Sequence, residues 1–312
     1  MPRVSVLMTV YNAAPYVRAS VDSVLAQAFP DWELVAVDDG STDASPSILA
    51  DYVDPRVRVI PFPKNIGRTP ALRHALHAAR GEYIAVLDAD DMSRPERLGR
   101  QVAFLDRNPE VALVGSWAHY IDEHARIFAE FKPPSNREEL QDCLGWTNPI
   151  VHSSAMYRRQ LALQVGGYPE ELAYAIDLGL ILALAPHSQV AMIDEFLCQK
   201  RVLSTSLTRS SAYRVAIVRE QLVNFQRAAA LLPLSQSARR LNRRAQAITE
   251  IKLGIATVRT ASSLAGVNLV ARGLVRDPSA LWTNGPVRRF FGANPCFLEN
   301  ALPDTFAIRA RR

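Results

Sequence analysis

Through its first hundred residues the chain alternates short apolar runs with stretches in which apolar positions recur every three or four residues. Val4–Val10, Glu33–Val37, Arg56–Pro61 and the run Tyr83–Leu87, which ends at Asp88, have the length and composition of buried strands. Between the first two, Val17, Val21, Val24 and Leu25 predict a helix that begins near Pro15 and is stopped by Phe29-Pro30-Asp31. Further helices are predicted at about Ser45–Tyr52, Pro70–Ala79 and Pro95–Asp106, the last leading into an apolar strand Val111–Gly115. Strands that alternate with helices in this way predict βαβ units and a mostly parallel central sheet.

From about 116 to 209 the pattern loosens around Trp117, Tyr120, Trp146 and the turn Lys132-Pro133-Pro134-Ser135-Asn136. Irregular surface structure and a substrate-shaping segment both fit it. Beyond 210, Tyr213–Leu232 and about Ser235–Val275 read as long helical stretches rich in Ala, Leu and Arg. The expected organisation is an α/β domain over residues 1–209 and a basic, mostly helical extension over 210–312, with a soft boundary between Leu207 and Ser211.

Composition narrows the class. With 48% hydrophobic and 21% charged residues the chain is ordinary globular material, and no uncharged apolar run reaches the ~18 residues of a spanning helix. A strand begins almost at Met1, which leaves no room for a signal peptide. Cys143, Cys198 and Cys296 lack metal-ligand or redox spacing, so buried thiols in a reducing cytoplasm are expected. Charge is distributed unevenly: residues 1–209 carry net −6 and residues 210–312 net +11. The acidic part suits metal and sugar chemistry, and the basic part suits an anionic surface.

The candidate chemistry sits at two strand ends. Asp88-Ala89-Asp90-Asp91 places three carboxylates directly after an apolar strand, where they repel one another unless a cation or a donor-rich ligand compensates. Val37-Asp38-Asp39-Gly40-Ser41-Thr42-Asp43 forms a second acidic strand end upstream. Either segment alone is compatible with a solvated turn. Together they point to a ligand, because open α/β sheets bind ligands at the carboxyl ends of their parallel strands.

Five segments in order carry a resemblance: Val6–Asn12, Val37–Asp43, Asn65-Ile66-Gly67, Gly81–Asp91 and Asn148-Pro149-Ile150-Val151-His152-Ser153-Ser154. As a set they resemble the inverting glycosyltransferase family 2, whose members have the GT-A fold and transfer sugars from nucleotide diphospho-sugars. The resemblance covers about residues 3–209 and implies a GT-A-like three-layer α/β/α domain. It implies that Thr9, Tyr11, Asn12 and Asn65 help line the donor pocket, with Asp39 accepting from a uracil or thymine imide and Asp88 contacting the ribose or the metal. Asp90 would ligate Mn²⁺ or Mg²⁺ across the two phosphates, as hard oxygen donors suit those ions. Arg68 or Arg73 would add a phosphate contact or lie on a solvated helix face.

An inverting transfer needs a general base opposite the leaving group. After the turn Gly166-Gly167-Tyr168, Asp177 matches the family's base, while Ile176 and Gly179 replace acidic neighbours and Glu171 is a fallback. Leu203 stands where the family often has a histidine that approaches the metal or phosphates. His152 reads as a hydrogen-bonded structural residue, and Ser153 lacks a base partner that would make it a nucleophile.

The basic end has two readings. Arg239, Arg240, Arg243 and Arg244 cluster, Leu253–Val275 is mostly apolar with Arg259 and Arg272 interrupting, and Arg288-Arg289-Phe290-Phe291 follows. This suits an interfacial helix on anionic lipid, or a helical subdomain packed on itself. No nucleic-acid module accompanies the charge. The expected partners are a UDP- or dTDP-sugar and a glycan or lipid-linked acceptor of the cell envelope, handled in the cytoplasm or peripherally on the membrane's cytoplasmic face. The departures at Ile176, Gly179 and Leu203 keep a second reading open, a catalytically impaired protein that binds nucleotide or partner proteins.

Overall fold

The structure is a computed structural model that describes residues 1–203, 213–260, 263–281 and 309–310. The chain forms two compact units. The first contains Met1–Leu140 and Ile150–Val202, and the second contains Gln141–Pro149 together with the helices that follow Leu203. The residues Leu207–Ser211, Arg288–Phe291 and Cys296, singled out above, lie outside the described residues.

In the first unit the alternation of the opening hundred residues becomes β1 (Val4–Val10), α1 (Val17–Leu25), β2 (Trp32–Asp38), α2 (Ser45–Ala50), β3 (Val57–Pro61), α3 (Arg68–Ala78) and β4 (Tyr83–Val86). A two-residue strand β5 (Met92–Ser93) and helix α4 (Arg97–Arg107) follow. Strands β3, β2, β1 and β4 lie side by side and parallel, with Val10 opposite Asp38 and Leu7 opposite Val86. β1, β2 and β4 are buried along almost their whole length, as strands covered on both faces must be. Val17, Val21 and Val24 of α1 and Leu98, Val102 and Leu105 of α4 pack with β1 and β2 in one core.

Beyond β4 the sheet becomes mixed. β6 (Val111–Ile121) and β8 (Met156–Arg158) are antiparallel neighbours, and β8 also runs antiparallel to β4. β7 (Ile127–Phe131) returns along β6, and β10 (Arg309–Ala310) pairs with β7. β9 (Gln189–Arg201) runs parallel to β6 with register shifts and also pairs with β5. The loosely patterned stretch after 116 is therefore a mixture of strands and short helices. Its alternation is blurred because β9 carries three register irregularities against β6 and partners two strands. Helices α5 (Arg137–Leu144), α6 (Arg159–Gln164) and α7 (Ile176–Leu184) complete this part of the chain.

The second unit is helical: α8 (Arg214–Leu231), α9 (Gln236–Thr260) and α10 (Ser263–Arg276). The stretch 235–275 is two helices rather than one, and their contacts pair Gly254 with Gly266 and Ala247 with Gly273, an antiparallel arrangement. A Cβ on Gly266 would stand 2.6 Å from the Gly254 carbonyl oxygen, so glycine is required for this approach. The fully buried Glu250 of α9 receives Arg276 of α10 at 3.0 Å. Asn242 of α9 donates to the carbonyls of Phe225 and Gly145, and Ser235 donates to Asp142, which ties the 141–149 segment to these helices. The apolar stretch Leu253–Val275 is thus divided between two packed helices and is not one interfacial helix. No helix of the described residues is long and apolar enough to cross a membrane.

Candidate active site

The loops after β1, β2 and β4 meet at the carboxyl ends of the parallel strands. Asn12 adopts a left-handed conformation (φ 50°), and its Oδ1 accepts from the Thr42 backbone at 2.8 Å while its own N–H donates to Ser41 Oγ. Asn12 therefore holds the acidic loop after β2 in place. Thr9 is half-buried one turn away, and the Tyr11 ring is 51% exposed, open to a ligand.

Asp39 is buried, and its carboxylate accepts three bonds: Asn65 Nδ2 at 3.0 Å, Ile66 N at 2.7 Å and Gly67 N at 3.0 Å. Asp39 and Asn65 are thus brought together, as partners of each other. Gly40 (φ 69°) permits the approach, since a Cβ there would lie 2.3 Å from the Lys64 backbone. The three bonds leave one lone-pair direction of Asp39 for a ligand. They also fix the start of α3, whose first residue is Arg68.

Asp88, Asp90 and Asp91 offer carboxylate oxygens within 4.8 Å of one another. They are not equivalent. Asp91 is buried and accepts from Ser153 Oγ at 2.5 Å and from Arg201 N at 2.7 Å, one bond on each oxygen. Burial, then Asp90 and Asp88, push its pKa well above the usual carboxylate range. For Asp88, burial would do the same, but Arg68 and then His152 outweigh it and hold the group far below that range. The pKa of Asp90 is raised by burial and by Asp88, and among the described residues Asp90 makes no ion pair. Asp88 and Asp90 are the less buried of the three and fit a divalent ion: Mg²⁺ and Mn²⁺ take hard oxygens and need only one or two protein carboxylates beside phosphate and water.

Arg68 and Arg73 do not lie on a solvated helix face. Arg68 Nη2 sits 2.6 Å from Asp88 Oδ1 and 2.8 Å from His152 Nδ1. The same His152 Nδ1 lies 3.2 Å from Asp88 Oδ1, and its Nε2 lies 3.1 Å from the Tyr168 hydroxyl. Arg73 donates to the carbonyls of Gly166 and Tyr168 and pairs with Glu170 at 2.7 Å, pinning the Gly-Gly-Tyr turn. Ser153 is wholly buried between Asp91 and the Asp88 N–H, a bracing role that takes it out of reach of a substrate.

Asp177, in the first turn of α7, is half-buried and accepts from Leu178 N at 2.8 Å. Its charge acts on Arg68, Tyr168 and Lys200. The unexpected residues beside it now have physical reasons. Ile176 is fully buried, and a Cβ on Gly179 would stand 2.6 Å from Leu172, so neither position accepts an acid at this packing. Glu171 is exposed.

Sequence reasoning missed two positively charged residues. Arg97 is fully buried and donates to Gln101, Ser93 and the carbonyls of Val86 and Ala155. Burial pulls its pKa down to about 10, which leaves it charged directly behind the acidic strand end. The available signal was the i, i+4 pair Arg97 and Gln101 on the same face as Leu98, Val102 and Leu105. Arg201 is the second. It donates to the carbonyls of Asp90 and Asp122 and lies over the Tyr16 ring, locking the end of β9 to the acidic loop.

A mixed α/β sheet whose parallel strands gather carboxylates from the loops after β2 and β4 at one end has the GT-A-like architecture of its structural neighbours. The family model for glycosyl transferase family 2 matches residues 5–166, and the chain belongs to that family. An uncharacterized glycosyltransferase, MJ1057, of Methanocaldococcus jannaschii is 32% identical over 207 residues, 64% of this chain and 71% of the relative. Two solved structures share the fold: S. aureus TarS 1–349 in complex with UDP-GlcNAc (TM-score 0.61, 20% identity, 90% of this chain and 81% of that one). The other is the mannosyltransferase PcManGT from Pyrobaculum calidifontis in complex with GDP-Man and Mn²⁺ (TM-score 0.60, 24% identity, 90% and 83%). The protein is a glycosyltransferase.

Proposed function

We propose that this glycosyltransferase moves a sugar, with inversion, from a UDP- or dTDP-sugar to a glycan or lipid-linked acceptor of the cell envelope. The observation that carries the reading is Asp90, an unpaired carboxylate beside Asp88 and within the electrostatic reach of Arg68 and Lys200. Support for the donor class comes from the two fold neighbours, one holding UDP-GlcNAc and the other GDP-Man.

In this reading Tyr11 and the remaining lone pair of Asp39 receive the base, with Thr9 beside them, and Asn12 and Asn65 hold the loops that shape the pocket. Asp90 and Asp88 would hold a divalent ion, which would stabilise negative charge on the departing nucleoside diphosphate. Asp177 takes the acceptor proton, a role supported by its place in the first turn of α7 and by its electrostatic coupling to Arg68. The exposed Arg239, Arg240 and Arg243 support docking of the helical unit to an anionic membrane face.

The test is a thermal-shift panel of UDP, dTDP and GDP with and without Mn²⁺, since a ligand of the folded state raises apparent stability. Mn²⁺ is expected to strengthen UDP or dTDP binding, and Asp90→Ala to abolish that gain. Equal affinity in chelator and in Mn²⁺ would remove the metal from the reading.

A further inference from the structure

Helix α10 has two opposite faces. Gly266 and Gly273 lie on one, pressed against α9, where a Cβ on Gly273 would stand 2.7 Å from the Ala247 carbonyl oxygen. Leu264, Val267, Ala271 and Val275 lie on the other, at a spacing that 3.6 residues per turn confines to an arc of about 80°. Leu264 is 73%, Val267 55% and Val275 85% exposed, and Ala271 is exposed as well, so packing on α9 leaves this row in water. Apolar residues scattered over a surface need no explanation, but a continuous line of them along one helix marks a contact face.

The charge around the row says what covers it. Among the described side chains of α8, α9 and α10, the charged ones left exposed are Arg219, Arg239, Arg240, Arg243 and Arg272, while Glu250 is buried and Glu220 half-buried. Arg272 borders the row directly, and its side chain is 63% exposed although it reaches Glu250 at 3.4 Å. A second copy of the chain would bring these arginines together with no exposed acid of the three helices to meet them, and like charges oppose such a contact. An anionic bilayer meets both features, because its headgroups attract arginine and its acyl boundary takes apolar side chains.

We propose that the outer face of α10 is a membrane-inserting surface, with Leu264, Val267, Ala271 and Val275 entering the acyl boundary of an anionic bilayer while Arg272 stays at headgroup level. The inference rests on the reading of the helical unit as docking to an anionic membrane face, and it goes beyond that reading by naming the face that inserts. Attraction by the arginines is screened by salt, whereas burial of an apolar row is not. Attachment therefore has two parts, one lost as salt rises and one that remains.

The experiment is partitioning of the full chain onto phosphatidylglycerol–phosphatidylcholine vesicles at low salt and at about 0.5 M salt, where charge attraction is largely screened. Wild type should bind in both, more weakly at high salt. The triple variant Leu264→Gln, Val267→Gln, Val275→Gln changes exposed positions only and should keep the wild-type helix content by circular dichroism. It should lower the partition coefficient about 100-fold, with the residual binding at high salt lost. A second measurement does not depend on that variant: in Val267→Trp, lipids brominated along the acyl chain should quench the added indole fluorescence. Wild-type binding that vanishes at high salt and is matched by the triple variant, without quenching in Val267→Trp, overturns the inference and leaves docking by the arginines standing. Failure of wild type to bind at low salt overturns both. A concentration-dependent dimer in sedimentation that the triple variant abolishes, without vesicle binding, gives the row to a second copy and overturns the proposal as well.

Discussion

The α/β unit and the helical unit use charge and small residues in opposite ways. In the first, polar groups are taken inside: Arg97, Asp91 and Ser153 are buried, each with hydrogen-bond partners, and together they hold a strand end that carries three carboxylates. In the second, Arg239, Arg240 and Arg243 stay exposed, one acid, Glu250, is buried against Arg276, and the close contact between α9 and α10 is made by Gly254, Gly266 and Gly273. Buried charge with fixed partners gives a rigid site whose electrostatics are set before a ligand arrives. Exposed charge on a helix pair gives a surface attraction that salt screens. The lesson is that buried Arg97 and Asp91 and exposed Arg239, Arg240 and Arg243 act through different physics, one internal and one at the surface.

The comparison breaks most visibly at Asp177. Asp177→Asn is expected to lower transfer by about 10² to 10⁴, the range for a general base, while UDP affinity in Mn²⁺ stays near wild type. Unchanged turnover would return the base assignment to another group. Stability gives the next largest contrast. Arg97→Met leaves the carbonyls of Val86 and Ala155 without their donor and should cost about 3–5 kcal/mol, whereas Arg240→Met on the exposed face of α9 should stay within about 0.5 kcal/mol. Denaturant titration of both variants measures this, and equal effects would erase the distinction drawn here. Gly266→Leu should weaken the helical unit by about 1–3 kcal/mol through overpacking against Gly254 and Val258. Hydrogen exchange should show faster opening of α9 and α10 with the strands of the α/β unit unaffected. The smallest effect concerns the exposed arginines. Sedimentation with anionic vesicles should fall when Arg239, Arg240 and Arg243 are replaced by Gln, and should fall for wild type as salt rises, each cation contributing about 1 kcal/mol near the surface. Wild-type protein that ignores such vesicles at low salt would leave the helical unit with a packing role alone.

Much of the first unit was legible because its order is local. The apolar runs of β1, β2 and β4 are buried on both faces, so their strand character is written directly in composition. The helices between them carry an apolar stripe at helical spacing, and the acidic loops follow their strands within one or two residues. The later strands were less legible. β9 pairs partly with β6 and partly with β5, and its irregular register mixes inward and outward positions in a way no fixed period describes.

For the site, the sequence by itself determined which carboxylates stand at the strand ends, that Asp177 follows the Gly-Gly-Tyr turn, and that the chain divides into an acidic and a basic part. Only the tertiary structure decided how those carboxylates differ. Asp91 is buried and bonded by Ser153 and Arg201, Asp88 is paired with Arg68, and Asp90 has no ion pair among the described residues, although all three share one sequence motif. Only the structure, too, showed Gly179 pressed against Leu172, and one apolar stretch folded into two helices. The reason is physical: a residue type and its spacing fix what a group is able to do, but its protonation, its free lone pairs and the room around it depend on partners as distant as 110 residues along the chain.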